Sequence, residues 1–570
     1  MLNHPDTKEE TTERVLSENA RKSTNFFISD LILQNYLSKY LSDDAYKYIL
    51  DKLHSLGEAA AGKLHRLSMQ ADKNPPEIIR RTPYGEELQE IQFHPSYWEM
   101  VDIAARSEML HVKWDVDLRK RFKKEQQVLG FAAGQIFAMA EEGLYCPLCM
   151  TDGAARVIDH FGEQSDRHRL IPALSSKSGS FLKTGAMFLT EKSGGSDVGA
   201  NRTVAIQEDG EWYRLSGEKW FCSNANADVM LVLARTGDLD EGTRSLSLFL
   251  VEKNLQDGSR NPMQYIRLKD KLGVRSMATA EIRLENTFGK LIGEEGRGFY
   301  YMTEMINMSR LYNSVAAVAG ARRALVEAFE FLSFRRSFGK TALKHALIRQ
   351  KLWELGSKYI AVFLLVWRTI RALDNADNGD EREKNLCRLL IPMSKWWSAE
   401  VGVFIGRESM ELMGGLGYIE ELVMPKLYRD LLVLPIWEGS GNVIVLDMLR
   451  AVHKSKGLDY MMEDIEKSID GLADSHAENL KKRLVLLKNR INHLNDDSRD
   501  RREISAKLFF SELIQLYLVG LLSEERNEKN RLWIEPAIDF FMEQWSDSQT
   551  DTVSVPSVET IVNLIGWDIK

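Results

Sequence analysis

MFLTEKSGGSDVGANRT, residues 187–203, marks a change of pattern in the chain. Upstream, from Asp30 to about Ser180, apolar residues recur at three- and four-residue spacing, as in LILQNYLSKYL and QVLGFAAGQIFAMAEEGL. That period is helical. After Ala186 come short β-rich runs at roughly ten-residue spacing: WYRLSGEKWFCSN, VMLVLART, SLSLFLVEK and AEIRLEN. Turns with Gly, Asp or Asn separate them, the pattern of an antiparallel barrel or sandwich. Helical spacing resumes near Gly296, and no proline occurs between Pro262 and Pro392. The fold class expected is therefore α+β, mainly α. The expected order is an N-terminal helical domain (1–185), a middle β-domain (186–293), a helical bundle (294–455) and a helical extension (456–570).

Two interruptions are expected. NPPEIIRRTPYGEE, from Asn74, reads as a loop between helices because of its prolines and glycine. SDSQTDTVSVPS, after Gln544, reads as a polar stretch before a short end. The small residues Ala316, Ala317, Ala319, Gly320 and Ala321 fit close helix packing or a deep acyl tunnel.

Bulk composition narrows the function classes. The 570 residues are 44% hydrophobic, enough for large cores. A net charge of −8 disfavours nucleic acid and anionic membranes as general partners. The start, MLNHPDTKEETTERV, has no apolar core of a secretory signal. The longest apolar runs, such as AVFLLVW at 361–367, fall far short of the ~20 residues that span a bilayer. Four cysteines fit a reducing compartment, so a soluble, cytoplasmic protein with no membrane partner is expected. CPLC, Cys146 to Cys149, lacks the second ligand pair of a zinc site and a redox βαβ context. It reads as a helix start or turn, and no metal is expected.

Local chemistry leaves alternatives open. Ser193-Gly194-Gly195-Ser196-Asp197 is a tight turn that can hold a pyrophosphate or simply join two strands. It has neither the G-x-G-x-x-G spacing nor the Gly-Lys-Ser/Thr of a P-loop. Trp220 or Phe221 can stack on a flat ring while Ser223 bonds a ring heteroatom, or all can belong to a core strand. In IWEGSGNVIVLDMLR, Glu438 sits between Trp437 and a Gly-Ser-Gly run, as a cap of helix Gly441–Arg450 or as a base.

LTEKSGGSD resembles the flavin loop of the acyl-CoA dehydrogenase family, TE-x-x-x-GSD. Five more segments match that family in order: KWFCSN, KDKLGVRSMATAEI (269–282), RRSFGK (335–340), MGGLGY (413–418) and IWEGSGN. The sequence is most similar to the AidB-like branch, which adds a C-terminal helical extension. NPPEIIRR, FHPSYWEM and RLKDKLGVRS carry that similarity.

The resemblance implies FAD and an acyl-CoA thioester substrate, within fatty acid metabolism. It places Leu189, Thr190, Gly195, Ser196, Phe221 and Ser223 at the flavin or its pyrophosphate. Arg335 and Phe338 would reach the FAD of a neighbouring subunit in a homotetramer. Gly414, Gly415, Ile436, Trp437, Gly439, Ser440 and Asn442 would close around the flavin, and Arg310 would contact substrate. Glu438 would take the α-proton, and its backbone N–H with a flavin ribityl hydroxyl would bind the thioester carbonyl. Burial near Trp437 would raise its pKa. Family members with the base on an earlier helix carry it where this chain has Ser309, which cannot serve. The family's glutamine before the glycine corner is Glu411 here, an unfavourable neighbour for a pyrophosphate.

Dehydrogenation passing electrons to an acceptor such as an electron-transfer flavoprotein is the expected activity. Two alternatives share the motifs. One is an AidB-like flavoprotein with vestigial activity and a DNA-associated, stress-protective role. The other is an acyl-CoA oxidase using oxygen. Against DNA, acids outnumber bases after Arg450, and KKR (481–483) and RDRR (499–502) have acidic neighbours.

Overall fold

NPPEIIRRTPYGEE is more than a loop. In the computed structural model, which describes residues 24–491, 494, 498–545 and 554–568, it forms a hairpin of β1 (Glu77–Arg81) and β2 (Glu87–Gln92). Pro75 and Pro76 follow the preceding helix, Lys63–Lys73, and Pro83 sits in the hairpin turn. The β-branched Ile78 and Ile79 then favour strand, and Gly85 turns the chain at φ 91°. This corrects the loop expected from sequence.

The chain divides into two units, one of Lys63–Asn313 and one of Met1–Gly62 with Ser314–Lys570. The division falls within the 37-residue helix Gly298–Phe334.

In the unit of residues 63–313, helices precede a sheet of β3 (Gly185–Phe188), β4 (Val204–Asp209), β5 (Trp212–Ser223), β6 (Val229–Arg235), β7 (Leu246–Glu252), β8 (Met263–Leu268) and β9 (Thr279–Ile292). β4, β5, β9 and β7 pair antiparallel in that order, and β7 pairs antiparallel with β6. A single parallel bridge, Val204 to Arg235, closes the ring. β3 adds parallel to β6, and β8 pairs antiparallel with β9. Every residue of β6 is buried, as befits a strand covered on both faces.

The helical part of this unit is organised around Asp152, fully buried on helix Glu142–Phe161. Its carboxylate accepts from Lys113 Nζ (2.7 Å), Trp114 Nε1 (2.6 Å) and the Tyr312 hydroxyl (2.9 Å). Lys113 also stands 3.7 Å from the Phe131 ring centroid. Burial, and then the Asp152 charge, push the Tyr312 hydroxyl well above the usual tyrosine range. Cys146 and Cys149 lie on the same helix, and all four cysteines are free thiols.

In the other unit, the 32-residue helices Ala346–Asp377 and Glu381–Leu412 form a hairpin. Gly379 (φ 90°) makes the turn, and Asp380 caps the second helix through the Glu383 N–H. Arg368 holds Glu383 with two hydrogen bonds, 2.7 and 2.8 Å. At Gly402 an added Cβ would lie 3.1 Å from the Ala317 carbonyl. Close packing therefore accounts for the small residue Ala317.

The extension adds helices Gly457–Ser468, Asp474–Arg490, Arg499–Glu525 and Arg531–Gln544, then Val558–Ile565. Helix Arg499–Glu525 is long and apolar enough, by length and composition, to cross a membrane. The apolar-run reading had overlooked it because polar residues are interspersed. Yet 61% of its apolar window is buried in the protein, as in the core helix of a bundle. Within the basic clusters, Lys482 pairs with Glu478 and Arg499 with Glu503, both at 2.8 Å. Residues 546–553 of the polar stretch lie outside the described residues.

Candidate active site

In the unit of residues 63–313, the segment after β3 is held by a buried carboxylate. Glu191 accepts from the backbone N–H of Arg202 (2.6 Å) and Thr203 (3.0 Å) and from Lys219 Nζ (2.8 Å). Burial alone would raise this carboxyl. The Lys219 ammonium and the hydrogen bonds outweigh it and hold the group below the usual glutamate value. Asn201 Nδ2 donates to the Leu189 carbonyl (2.7 Å), and the Trp220 N–H donates to the Thr190 carbonyl (2.9 Å). The turn is tight, with Gly194 at φ 115° and its N–H on the Glu191 carbonyl. At Gly195 a Cβ would meet the Thr190 hydroxyl at 2.8 Å, so only glycine fits unstrained. Ser196 is exposed, and Leu189 and Thr190 are half-buried.

The two aromatics differ. Lys269, bonded to Glu281 at 2.5 Å, places its ammonium 3.5 Å from the Trp220 ring centroid. Phe221 is 57% exposed, and the same ammonium lies 4.9 Å from its ring centroid. Ser223 and Thr279 share a hydroxyl contact of 3.3 Å. Farther along, the Ser309 hydroxyl donates to the Ile306 carbonyl of its own helix, and Arg310 is buried.

In the other unit, Arg335 ends the long helix and leads into the hairpin β10 (Arg336–Ser337) and β11 (Lys340–Thr341). Its two-residue turn is Phe338 (φ 48°) and Gly339 (φ 79°). Such a turn favours Asn-Gly. Here a phenylalanine takes the first place and is 97% exposed. Gly414 (φ 62°) and Gly415 are exposed, with no atom within 4 Å of an added Cβ. Glu411 pairs with Arg407 one helical turn away, at 2.6 Å.

The base-candidate segment is a run of turns from 432 to 439. Ile436 is 68% exposed, and Trp437, Glu438 and Gly439 are half-buried. Glu438 has φ 57° and Gly439 φ 101°, two consecutive residues in the left-handed region. Ser440, rather than Glu438, is the N-cap of the helix, which runs Gly441–Lys454. Lys395 Nζ donates to the Gly439 carbonyl at 2.6 Å, and Lys507 Nζ of the extension donates to Asn442 Oδ1 at 3.0 Å.

In the unit of residues 63–313, an exposed Phe221, hydroxyls on Thr190, Ser196 and Ser223, and a close-approach glycine at 195 fit part of a flavin nucleotide. In the other unit, taken by itself, Gly414 and Gly415 leave open space beside the backbone. Sequence reasoning missed Lys219, Lys395, Arg407 and Lys507. A lysine inside the apolar run PMSKWW was the available signal for Lys395. Among the described residues, no group of three or more His, Cys, Asp or Glu is arranged to hold a metal.

Family models match the chain in three blocks. They are the adaptive response protein AidB N-terminal domain (17–178), the acyl-CoA dehydrogenase middle domain (186–287) and the acyl-CoA dehydrogenase C-terminal domain (296–453). AidB of Escherichia coli K12 is 32% identical over 458 residues, covering 79% of this chain and 82% of that protein. The chain belongs to the acyl-CoA dehydrogenase family. Another acyl-CoA dehydrogenase, family member 11 of Caenorhabditis elegans, is 31% identical over 468 residues, covering 80% of this chain and 75% of that one. The crystal structure of C. elegans ACDH-11 in complex with C11-CoA superimposes with a TM-score of 0.86 at 27% identity, over 96% of this chain and 95% of that one. Membership makes this acyl-CoA dehydrogenase an oxidoreductase with the AidB-type N-terminal domain.

Proposed function

We propose that the protein is an FAD-dependent acyl-CoA dehydrogenase that forms a double bond between the α- and β-carbons of an acyl-CoA thioester, with Glu438 taking the α-proton. The observation carrying this reading is Glu438 itself, half-buried on a left-handed turn whose following carbonyl, that of Gly439, accepts from Lys395. Ser309, at the alternative base position, is bonded into its helix.

The roles follow from chemistry. A carbon acid needs a base within about 3 Å and a stabilised enolate oxygen. The carboxylate of Glu438 accepts the α-proton, and its backbone N–H polarises the thioester carbonyl. The glycine after it lets the thioester approach the backbone. FAD, when bound, supplies N5 as acceptor for the hydride from the β-carbon. On the family pattern, Leu189, Thr190, Gly195, Ser196, Phe221 and Ser223 would hold it, and Gly414, Gly415, Ile436, Trp437, Gly439, Ser440 and Asn442 are proposed as further contacts. Arg310 serves the substrate. Arg335 and Phe338 reach the FAD of a second copy in a homotetramer, which gives the exposed Phe338 an occupant. An electron-transfer flavoprotein would be the electron acceptor for the reduced cofactor. Cytoplasmic placement is part of this reading, supported by four cysteines that form no disulfide.

The C11-CoA bound by ACDH-11 supports a medium-length acyl chain as the first probe. Anaerobic titration of the purified protein with acyl-CoAs from short to long tests the reading by the flavin absorbance. Bleaching by at least one, abolished in Glu438→Gln with FAD retained, is expected. A flavin that no acyl-CoA bleaches overturns it.

A further inference from the structure

We propose that Lys395 is a positioning residue for Glu438, an inference that rests on Glu438 being the base. Lys395 lies in the middle of helix Glu381–Leu412 and is fully buried. A lysine is almost never fully buried without a defined partner. Here the Gly439 carbonyl, one residue past Glu438, accepts from its Nζ at 2.6 Å. A charge-assisted bond from a buried ammonium is short and directional.

The carbonyl it grips is the one that matters for the direction of Glu438. An L-residue disfavours positive φ, and Glu438 adopts it at 57° with Gly439 following at 101°. Such a pair of angles persists only when its surroundings over-determine it. Orienting the Gly439 carbonyl fixes the peptide plane after Gly439. That plane and the helix beyond it then set the path of the chain back through Glu438. The neighbour of Lys395 supplies a second stop. A Cβ added at Gly441 would lie 2.9 Å from the Trp396 Nε1, so helix Glu381–Leu412 also abuts the chain at residue 441. Ser440, the helix N-cap between these two contacts, has no capping bond from its side chain. The turn is thus shaped from the flank by Lys395 and Trp396 rather than by its own cap.

A role limited to folding would cost stability when Lys395 is replaced but leave the proton step intact in whatever protein folds. A positioning role predicts a specific loss in that step, because about 1 Å of misplacement costs on the order of 10²-fold in rate. The experiment compares FAD-loaded wild type, Lys395→Met, Lys395→Arg and Glu438→Gln, using an acyl-CoA that bleaches the wild-type flavin. It reads the limiting rate of anaerobic flavin reduction, the apparent Kd for the acyl-CoA, and deuterium wash-in at the α-carbon from D2O. Melting temperature and bound FAD are read alongside.

Lys395→Met is expected to slow both reduction and wash-in by roughly 30- to 100-fold. Its acyl-CoA Kd should stay within about threefold and its FAD content at the wild-type level. Lys395→Arg, which keeps a cationic donor, is expected to recover most of the rate. If Lys395→Met does not fold, Lys395→Gln, whose shorter side chain falls short of the carbonyl, is read by the same criteria. Wild-type reduction and wash-in in the folded variant, or a loss that only follows loss of FAD, overturns the inference. Wild-type rates in Glu438→Gln overturn instead the reading on which it rests.

Discussion

Arg322 and Asp30 form a fully buried ion pair, with Nη2 and Nε of the guanidinium 2.8 and 3.1 Å from the two carboxylate oxygens. The same guanidinium donates to the backbone carbonyls of Ile565 (2.7 Å) and Gly566 (3.0 Å). One side chain therefore ties the first described helices, the long helix and the last helix together. Removing one partner of such a pair leaves a buried charge uncompensated. Asp30→Asn and Arg322→Met are each expected to destabilise by about 3–5 kcal/mol. Denaturant unfolding of FAD-loaded protein measures this, with the midpoint falling at constant slope.

Glu191 predicts an acid-side effect. Its folded carboxyl is held below the usual glutamate value of 4.5. A depressed carboxyl contributes stability that is fully present above its unfolded pKa and is lost as pH falls through the folded one. Wild type and Glu191→Gln should therefore differ most in melting temperature near neutrality. The two curves should converge as pH drops below about 4.5, which a melting series from pH 7 to pH 3 follows.

The pair Arg407–Glu411 answers the concern that an acid stands where the family has glutamine. The salt bridge is exposed, so breaking it should change stability by less than about 1 kcal/mol. Its effect should appear in cofactor affinity. Arg407→Gln leaves Glu411 unpaired and should weaken FAD binding several-fold, while Glu411→Gln should leave it equal or tighter. Equilibrium titration of apoprotein with FAD, followed by flavin fluorescence, tests both.

Lys507 gives the extension a measurable stake in the site. It donates to Asn442 Oδ1, which orients the amide so that its NH2 group faces away from the lysine. Lys507→Met should cost less than about 1 kcal/mol in stability, since both residues are exposed. It should weaken FAD or acyl-CoA binding by a few-fold, and Asn442→Ala should remove any further effect of Lys507→Met in a double-mutant cycle.

Period made most of the fold legible. A change from three-four spacing to short β-rich runs after Ala186 marks real strands, because burial on a sheet and on a helix demands different spacings. The hairpin at Glu77–Gln92 was hidden because its prolines stand just before the first strand (Pro75, Pro76) and in the turn (Pro83), so they break neither strand. The membrane-length character of Arg499–Glu525 was hidden because apolar runs, not helix averages, were read. Ordered motifs located the candidate site, but no local pattern signals a left-handed Glu438. The anchoring lysines of each unit are equally nonlocal. Lys395 bonds a carbonyl 44 residues away, and Lys219 a carboxylate 28 residues away. A lone lysine on a helix otherwise reads as a surface charge with a buried stem.

The contacts of Arg322 also bear on synthesis. The carbonyl of Gly566 that satisfies it lies 244 residues further along the chain. At roughly 5–20 residues per second, a ribosome needs about 12–50 s to deliver it. During that interval the guanidinium lacks both of its carbonyl acceptors, Ile565 and Gly566. The unit can close only once residues 565 and 566 have been made, so a nascent chain stalled before them would carry an unfinished core.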